Sequence, residues 1–163
     1  MIYIIQIIEV IPSSEELAED KKDEGNKYYN QKDYRRALDC YAKAIELYPC
    51  APYYNNRAAC YMMLGMYSQA LQDAKESIKC EASSTKGHLR MGKCSLVMGD
   101  VVTAERSFVK VKELEPTNTI VDTELRTIDT LYKIELLKFK TIERLYIVLR
   151  EPWTLLCIAE DTK

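Results

Sequence analysis

The feature that most constrains this chain is a register that recurs every 33 or 34 residues. Ala37, Ala70 and Ala104 are separated by 33 and 34 positions. The same intervals separate Gly25, Ala58 and Gly92, then Tyr28, Tyr61 and Ser95, then Tyr34, Tyr67 and Val101. Pro49 and Pro116 close the first and third units, with Ala82 at the corresponding place in the second. A period of this length marks a stack of supersecondary units, each of which buries its apolar face only against its neighbours. The residue types say what each unit is. Small residues at 25, 58 and 92 and at 37, 70 and 104 let two helices approach closely, and Tyr41 and Phe108 fill the space between neighbouring pairs. Gly65 and Gly99 break the chain between the two helices of their units. Pro49 and Pro116 end the second helices, because proline cannot continue one. The first helix is expected after Pro12, where Ser13-x-x-Glu16 can form a capping box.

This pattern resembles the tetratricopeptide repeat (TPR), a Trp-x-x-Leu-Gly-x-x-Tyr run followed by Ala-x-x-x-Phe and Pro over about 34 residues. Unit one reads Lys21, Glu24, Gly25, Tyr28, then Ala37, Tyr41 and Pro49. Unit two reads Tyr54, Arg57, Ala58, Tyr61, then Ala70 and Ala74; unit three reads His88, Met91, Gly92, Ser95, then Ala104, Phe108 and Pro116. The small and aromatic positions hold, while the Trp and Leu positions are degenerate. The resemblance covers about residues 18–116 and implies an all-α fold. The expected architecture is a right-handed superhelix of three TPR helix-turn-helix units within 13–118, at about 18–50, 51–84 and 85–118. A C-terminal capping helix is expected at 119–150, where Val121, Leu125, Ile128, Tyr132 and Leu136 keep helical spacing, with Glu151-Pro152 ending it.

The two ends read differently. Residues 1–12 form an apolar arm whose Met1–Ile11 stretch is too short for a bilayer-spanning helix of about 20 residues and is interrupted by Gln6 and Glu9. It lacks the basic start of a signal peptide, and its β-branched density suits a short strand or a sticky extended arm. In the tail, 151–163, the apolar run Trp153–Ile158 reads as a docking strand or simply as the place where the chain stops.

Charge and cysteine usage remove several function classes. The formal charge of −2 gives no reason to expect a nucleic-acid partner, and no segment calls for a membrane. Cys40, Cys50, Cys60, Cys80, Cys94 and Cys157 form no Cys-x-x-Cys pair, and His88 has no second histidine beside it. No metal or cofactor is expected, and the thiols are expected free in a reducing, cytoplasmic setting. No nucleophile–base or phosphate-loop motif appears, so no catalytic residue is assigned. His88, at the Trp position of its unit, is read as a packing residue.

The first helices of stacked pairs line a concave face. Lys22, Asn26 and Tyr29 share one face at i, i+4 and i+7; Asn56 and Ala59 take the equivalent place in unit two; Lys86 and Arg90 share a face in unit three. These residues resemble the carboxylate clamp of the chaperone-binding TPR branch, which has Lys-x-x-x-Asn, Asn-Arg and Lys-x-x-x-Arg in successive units. Here stand Lys22-Asp-Glu-Gly-Asn26, Asn56-Arg57 and Lys86-Gly-His-Leu-Arg90, with the link from Pro49 to Asn56 one residue shorter than usual. The resemblance implies that Lys22, Asn26, Asn56, Lys86 and Arg90 bind the two carboxylates of a C-terminal aspartate. Lysine and arginine supply charge-assisted donors, and asparagine supplies donors without further positive charge. Tyr29, Ala59, Met62 and Leu89 form the hydrophobic wall for an upstream residue such as the valine of Glu-Glu-Val-Asp.

Gly25–Tyr34, Asn56–Gly65 and above all Gly87-His-Leu-Arg-Met-Gly-Lys-Cys94 resemble the first repeat block of the TPR-bearing DnaJ (heat shock protein 40) co-chaperones, subfamily C. That resemblance implies an adaptor gripping the tails of heat shock protein 70 and heat shock protein 90. It also implies a J domain with a His-Pro-Asp triplet, which this sequence lacks, so ATPase stimulation is not carried over. The chain reads as a fragment or shortened relative. Two alternatives stand beside the adaptor: a helical-repeat scaffold whose groove binds a different partner or its own N-terminal arm, and an enzyme merely addressed by such a module. Occupation of the groove by the arm, or a closed superhelix, would favour the scaffold; the enzyme is not expected, because no spare domain of catalytic size is read outside residues 13–150.

Overall fold

The computed structural model describes residues 12–160, with side chains as far as 145. Among the described residues there are seven α-helices: α1 Ser14–Asn30, α2 Tyr34–Leu47, α3 Ala51–Met63, α4 Tyr67–Cys80, α5 Thr85–Val97, α6 Val101–Leu114 and α7 Thr119–Glu160. The fold is all-α. Two compact units divide after Val121.

The first unit is three helical hairpins, α1–α2, α3–α4 and α5–α6, in sequence order. Helix α1 starts where the capping box places it. Ser13 Oγ accepts from Glu16 N–H at 3.1 Å, and the Glu16 carboxylate accepts from Ser13 N–H at 2.8 Å. The three tight turns repeat one device. Lys32, Gly65 and Gly99 all have positive φ, at 62°, 73° and 84°. In the first and third turns the next residue caps the second helix: Asp33 accepts from Arg36 N–H at 3.2 Å and Asp100 from Thr103 N–H at 3.0 Å. Met66 stands in the second turn and offers no side-chain cap. Helices α2 and α6 end two residues before the expected proline stops, with Tyr48 and Glu115 as the intervening C-caps.

Close helix approach explains the small residues. Ala37, Ala70 and Ala104 are fully buried, as is Ala58. In the outer hairpins a ring lies on a glycine: a Cβ on Gly25 would sit 2.7 Å from Tyr41 Cε1, and one on Gly92 2.5 Å from Phe108 Cε1. The middle hairpin has alanine at both places, Ala58 and Ala74, each fully buried. It adds a bidentate ion pair instead. Arg57 Nε and Nη2 donate to Asp73 at 2.8 and 2.7 Å, with Asp73 buried and Arg57 half-buried. That hydrogen bond from Arg57 to Asp73 also raises the guanidinium's pKa.

Helix α7 begins at Thr119, where Asn118 Oδ1 accepts from Ile120 N–H at 3.2 Å. It continues to Glu160, so Pro152 does not end the helix and the 151–160 backbone is not a strand. One proline removes a single internal hydrogen bond, whereas Leu, Arg, Glu and Ala on both sides favour helix. Within the second unit Leu136, Leu137, Phe139, Ile142 and Leu145 are exposed. Among the described residues no helix is long and apolar enough to cross a membrane. The expectation of a strand or extended arm at Met1–Ile11 lies outside the described residues, and that of a free thiol at Cys157 falls beyond the described side chains; Cys40, Cys50, Cys60, Cys80 and Cys94 are free thiols.

Candidate functional site

Three helices, α1, α3 and α5, supply one face of the first unit. Asn26 and Tyr29 of α1, Asn56 and Ala59 of α3, and Arg90 of α5 line a hollow of about 120 Å³, together with Tyr41 of α2. A second hollow of about 300 Å³ is lined by Tyr29, Ala59, Met62, Met63, Lys86, Leu89, Arg90 and Lys93. The two share Tyr29, Ala59 and Arg90, so one is polar and the adjoining one is largely apolar. The shortened link before Asn56 does not keep it from α1, because its Nδ2 donates to Asn26 Oδ1 at 3.2 Å.

The polar hollow is organised around that oxygen. Tyr41 Oη also donates to Asn26 Oδ1, at 2.8 Å. Asn26 Nδ2 has one long contact, 3.4 Å to Asp23 Oδ1. Tyr29 is held in place by Tyr34, their ring centroids 5.4 Å apart in an edge-to-face arrangement. Beneath lie Cys60 and Cys94, both fully buried. Burial pushes their pKa values up to about 12 and about 11, against the opposing pull of the Arg90 charge, so both remain neutral thiols.

The cations divide into two kinds. Arg90 has no carboxylate partner among the described residues; its one polar contact is 3.4 Å to the Lys86 carbonyl. Burial lowers its pKa from the ordinary value, with the nearby Tyr29, Cys94 and Cys60 opposing that shift. Lys86 is exposed at the edge of the second hollow and likewise has no carboxylate partner among the described residues. Lys22 is different. It pairs with Glu19 and with Asp23 at 3.2 Å on its own helix, and lines neither hollow. Its pKa is raised, chiefly by the hydrogen bond to Glu19.

The structure therefore gathers Asn26, Asn56 and Arg90 in one hollow and Tyr29, Ala59, Met62, Leu89 and Lys86 around the adjoining one, and leaves Lys22 folded onto α1. Three lining residues went unassigned in the sequence. Met63 and Lys93 follow from helix spacing, Lys93 falling one turn beyond Leu89. From sequence alone Tyr41 is expected only to fill space between helices. Arg57, next to Asn56 in the motif, turns away to Asp73. His88 bonds the Ala82 carbonyl at 3.0 Å. The surface offers donors beside an apolar wall, which suits an anion attached to an apolar chain.

Comparison with known proteins agrees with this architecture. A model of the tetratricopeptide repeat matches residues 18–49. DnaJ homolog subfamily C member 7 of Mus musculus is 43% identical over 119 residues, which cover 72% of this chain and 24% of that relative. The chain thus spans about a quarter of the length of that curated relative. The first TPR of Spaghetti (RPAP3), solved bound to the HSP90 peptide SRMEEVD, shares 31% identity at a TM-score of 0.73, covering 76% of this chain and 98% of the other. The second TPR domain of human RPAP3, solved with the HSP70 peptide SGPTIEEVD, shares 30% identity at a TM-score of 0.69, covering 72% and 98%. The chain belongs to the tetratricopeptide repeat family.

Proposed function

We propose that this domain is a non-catalytic co-chaperone adaptor whose groove grips the acidic C-terminal tail of heat shock protein 70 or 90 chaperones in the cytoplasm. The observation that carries this reading is the convergence of Asn26, Asn56 and Arg90, from three successive hairpins, on one small hollow beside an apolar wall. A chain ending in aspartate brings two carboxylates to one residue. Arg90 and the asparagine amides meet them with N–H donors, and Lys86 adds charge at the rim. The residue before the aspartate, a valine in SRMEEVD and SGPTIEEVD, matches the wall of Tyr29, Ala59, Met62 and Leu89. Lys22 joins the clamp by leaving Glu19 and Asp23 for the ligand.

The test is an isothermal titration with two peptides ending in Glu-Glu-Val-Asp, one a free acid and one amidated. The free acid is expected to bind with micromolar-range affinity and the amide at least about 10-fold more weakly, each charge-assisted bond contributing about 1.5–3 kcal/mol. Equal affinities for the two would rule the clamp out.

A further inference from the structure

Binding a carboxylate through Asn26 requires that its amide present nitrogen and not oxygen. An asparagine amide has nearly the same shape either way round, so its neighbours must decide which end faces the ligand. We propose that Tyr41 is a positioning residue of the acid-binding hollow, its hydroxyl holding Asn26 with the NH₂ end turned to the bound carboxylate. This inference rests on the clamp reading given above.

The hydrogen bonds account for the orientation. Asn26 Oδ1 accepts from Tyr41 Oη at 2.8 Å and from Asn56 Nδ2 at 3.2 Å, which occupies both of its acceptor sites. Turning the amide over would set its NH₂ against the Asn56 NH₂ and leave the Tyr41 hydroxyl proton without its acceptor. Asn26 Nδ2 carries two N–H bonds and has one long contact, to Asp23, so a donor is left for a ligand. Asn56 retains its second N–H in the same way.

Tyr41 is itself fixed. Its ring is 1% exposed and lies on Gly25, where a Cβ would come within 2.7 Å of Cε1. It packs with Ala37 and Cys60, the latter on α3. Burial pushes the phenol's pKa well above the ordinary value, so the hydroxyl remains a donor across the physiological range. Its place in the wall of the polar hollow, at 15 positions from Asn26, puts this donor on the α2 side while the ligand approaches from the α1, α3 and α5 face.

Tyr41→Phe keeps the ring and removes only the donor. The experiment is a double-mutant cycle on the full chain, titrating wild type, Tyr41→Phe, Asn26→Ala and the double variant with the free-acid and amidated Glu-Glu-Val-Asp peptides. Tyr41→Phe is expected to weaken free-acid binding about 10-fold and to leave the weak amide binding unchanged. In the Asn26→Ala background the same substitution is expected to change free-acid affinity by less than about twofold, because the residue through which Tyr41 acts is gone. Asn26→Asp, which keeps an acceptor for Tyr41 but offers the ligand only oxygen, is expected to abolish free-acid selectivity. Wild-type affinity in Tyr41→Phe, or an undiminished loss in the Asn26→Ala background, would overturn the positioning role while leaving the clamp intact. A wild type that cannot tell acid from amide takes both down together.

Discussion

The first and third hairpins share a plan, a ring laid on a glycine, yet they meet the groove in opposite electrostatic states. On the first, Lys22 is already engaged by Glu19 and Asp23, and Asn26 by Tyr41 and Asn56. On the third, Arg90 and Lys86 have no carboxylate partner among the described residues. The difference teaches that the two sides contribute unlike things. A charge already satisfied must give up one partner to gain another, so its net contribution is small, whereas a part-buried guanidinium lacking a counter-ion gains most when an anion arrives. On the proposed clamp, the third hairpin would supply attraction and the first orientation.

The sharpest way to break that division is Arg90→Ala. Free-acid peptide affinity is expected to fall about 10- to 100-fold with the melting temperature little changed, whereas Lys22→Ala should cost only a few-fold. Equal losses at the two positions in titrations would erase the asymmetry.

The shared plan is tested next. Gly92→Ala and Gly25→Ala each force a ring to move, and each is expected to destabilise the domain by about 1–3 kcal/mol in denaturant unfolding. Wild-type stability in both would mean that the rings have room to spare.

The turns also differ. Lys32 adopts the left-handed conformation that Gly99 occupies at the matching place, and a side chain there costs energy. Lys32→Gly is expected to raise stability by about 1 kcal/mol and Gly99→Lys to lower it by a similar amount, read from chemical denaturation midpoints. A loss of stability in Lys32→Gly would show that the lysine side chain contributes something the turn geometry does not reveal.

The smallest effect sharpens the contrast from the first-hairpin side. Glu19→Gln keeps an acceptor for the Tyr53 hydroxyl, 3.0 Å away, but removes one of the two carboxylates that hold Lys22, leaving Asp23. Free-acid affinity is expected to rise about two- to threefold, and more at low salt than at high salt. Unchanged affinity at low salt would mean that Lys22 takes no part.

Much of this was legible in the sequence, for definite reasons. Gly, Ala and Pro at a fixed period express steric demands that few folds share, so helices, hairpins and their partners follow from Ala37, Ala70, Ala104 and the two prolines. Residues that act from one helix face, such as Asn26 with Tyr29 or Lys86 with Arg90, follow from the 3.6-residue turn. What stayed hidden depends on distances between helices or on competition among side chains. The Tyr41 hydroxyl comes into play only once the packing of α2 on α1 brings it within 2.8 Å of Asn26 Oδ1. Lys22 has the groove and two carboxylates of its own helix within the reach that spacing allows, and spacing does not rank them. Lys32 in a glycine conformation and α7 running past Pro152 are cases where the surrounding structure overrides a local preference.

Asn56 and Arg57 are consecutive on α3, and they face opposite ways: one toward the groove, the other into the clasp with Asp73 that joins α3 to α4. In the middle hairpin two adjacent motif residues thus divide between the groove and the bond that closes the hairpin. Variation there divides cleanly. A change at 56 is felt by whatever the domain holds, and a change at 57 is felt by the domain itself, which makes this dipeptide the place to separate a failed grip from a failed fold.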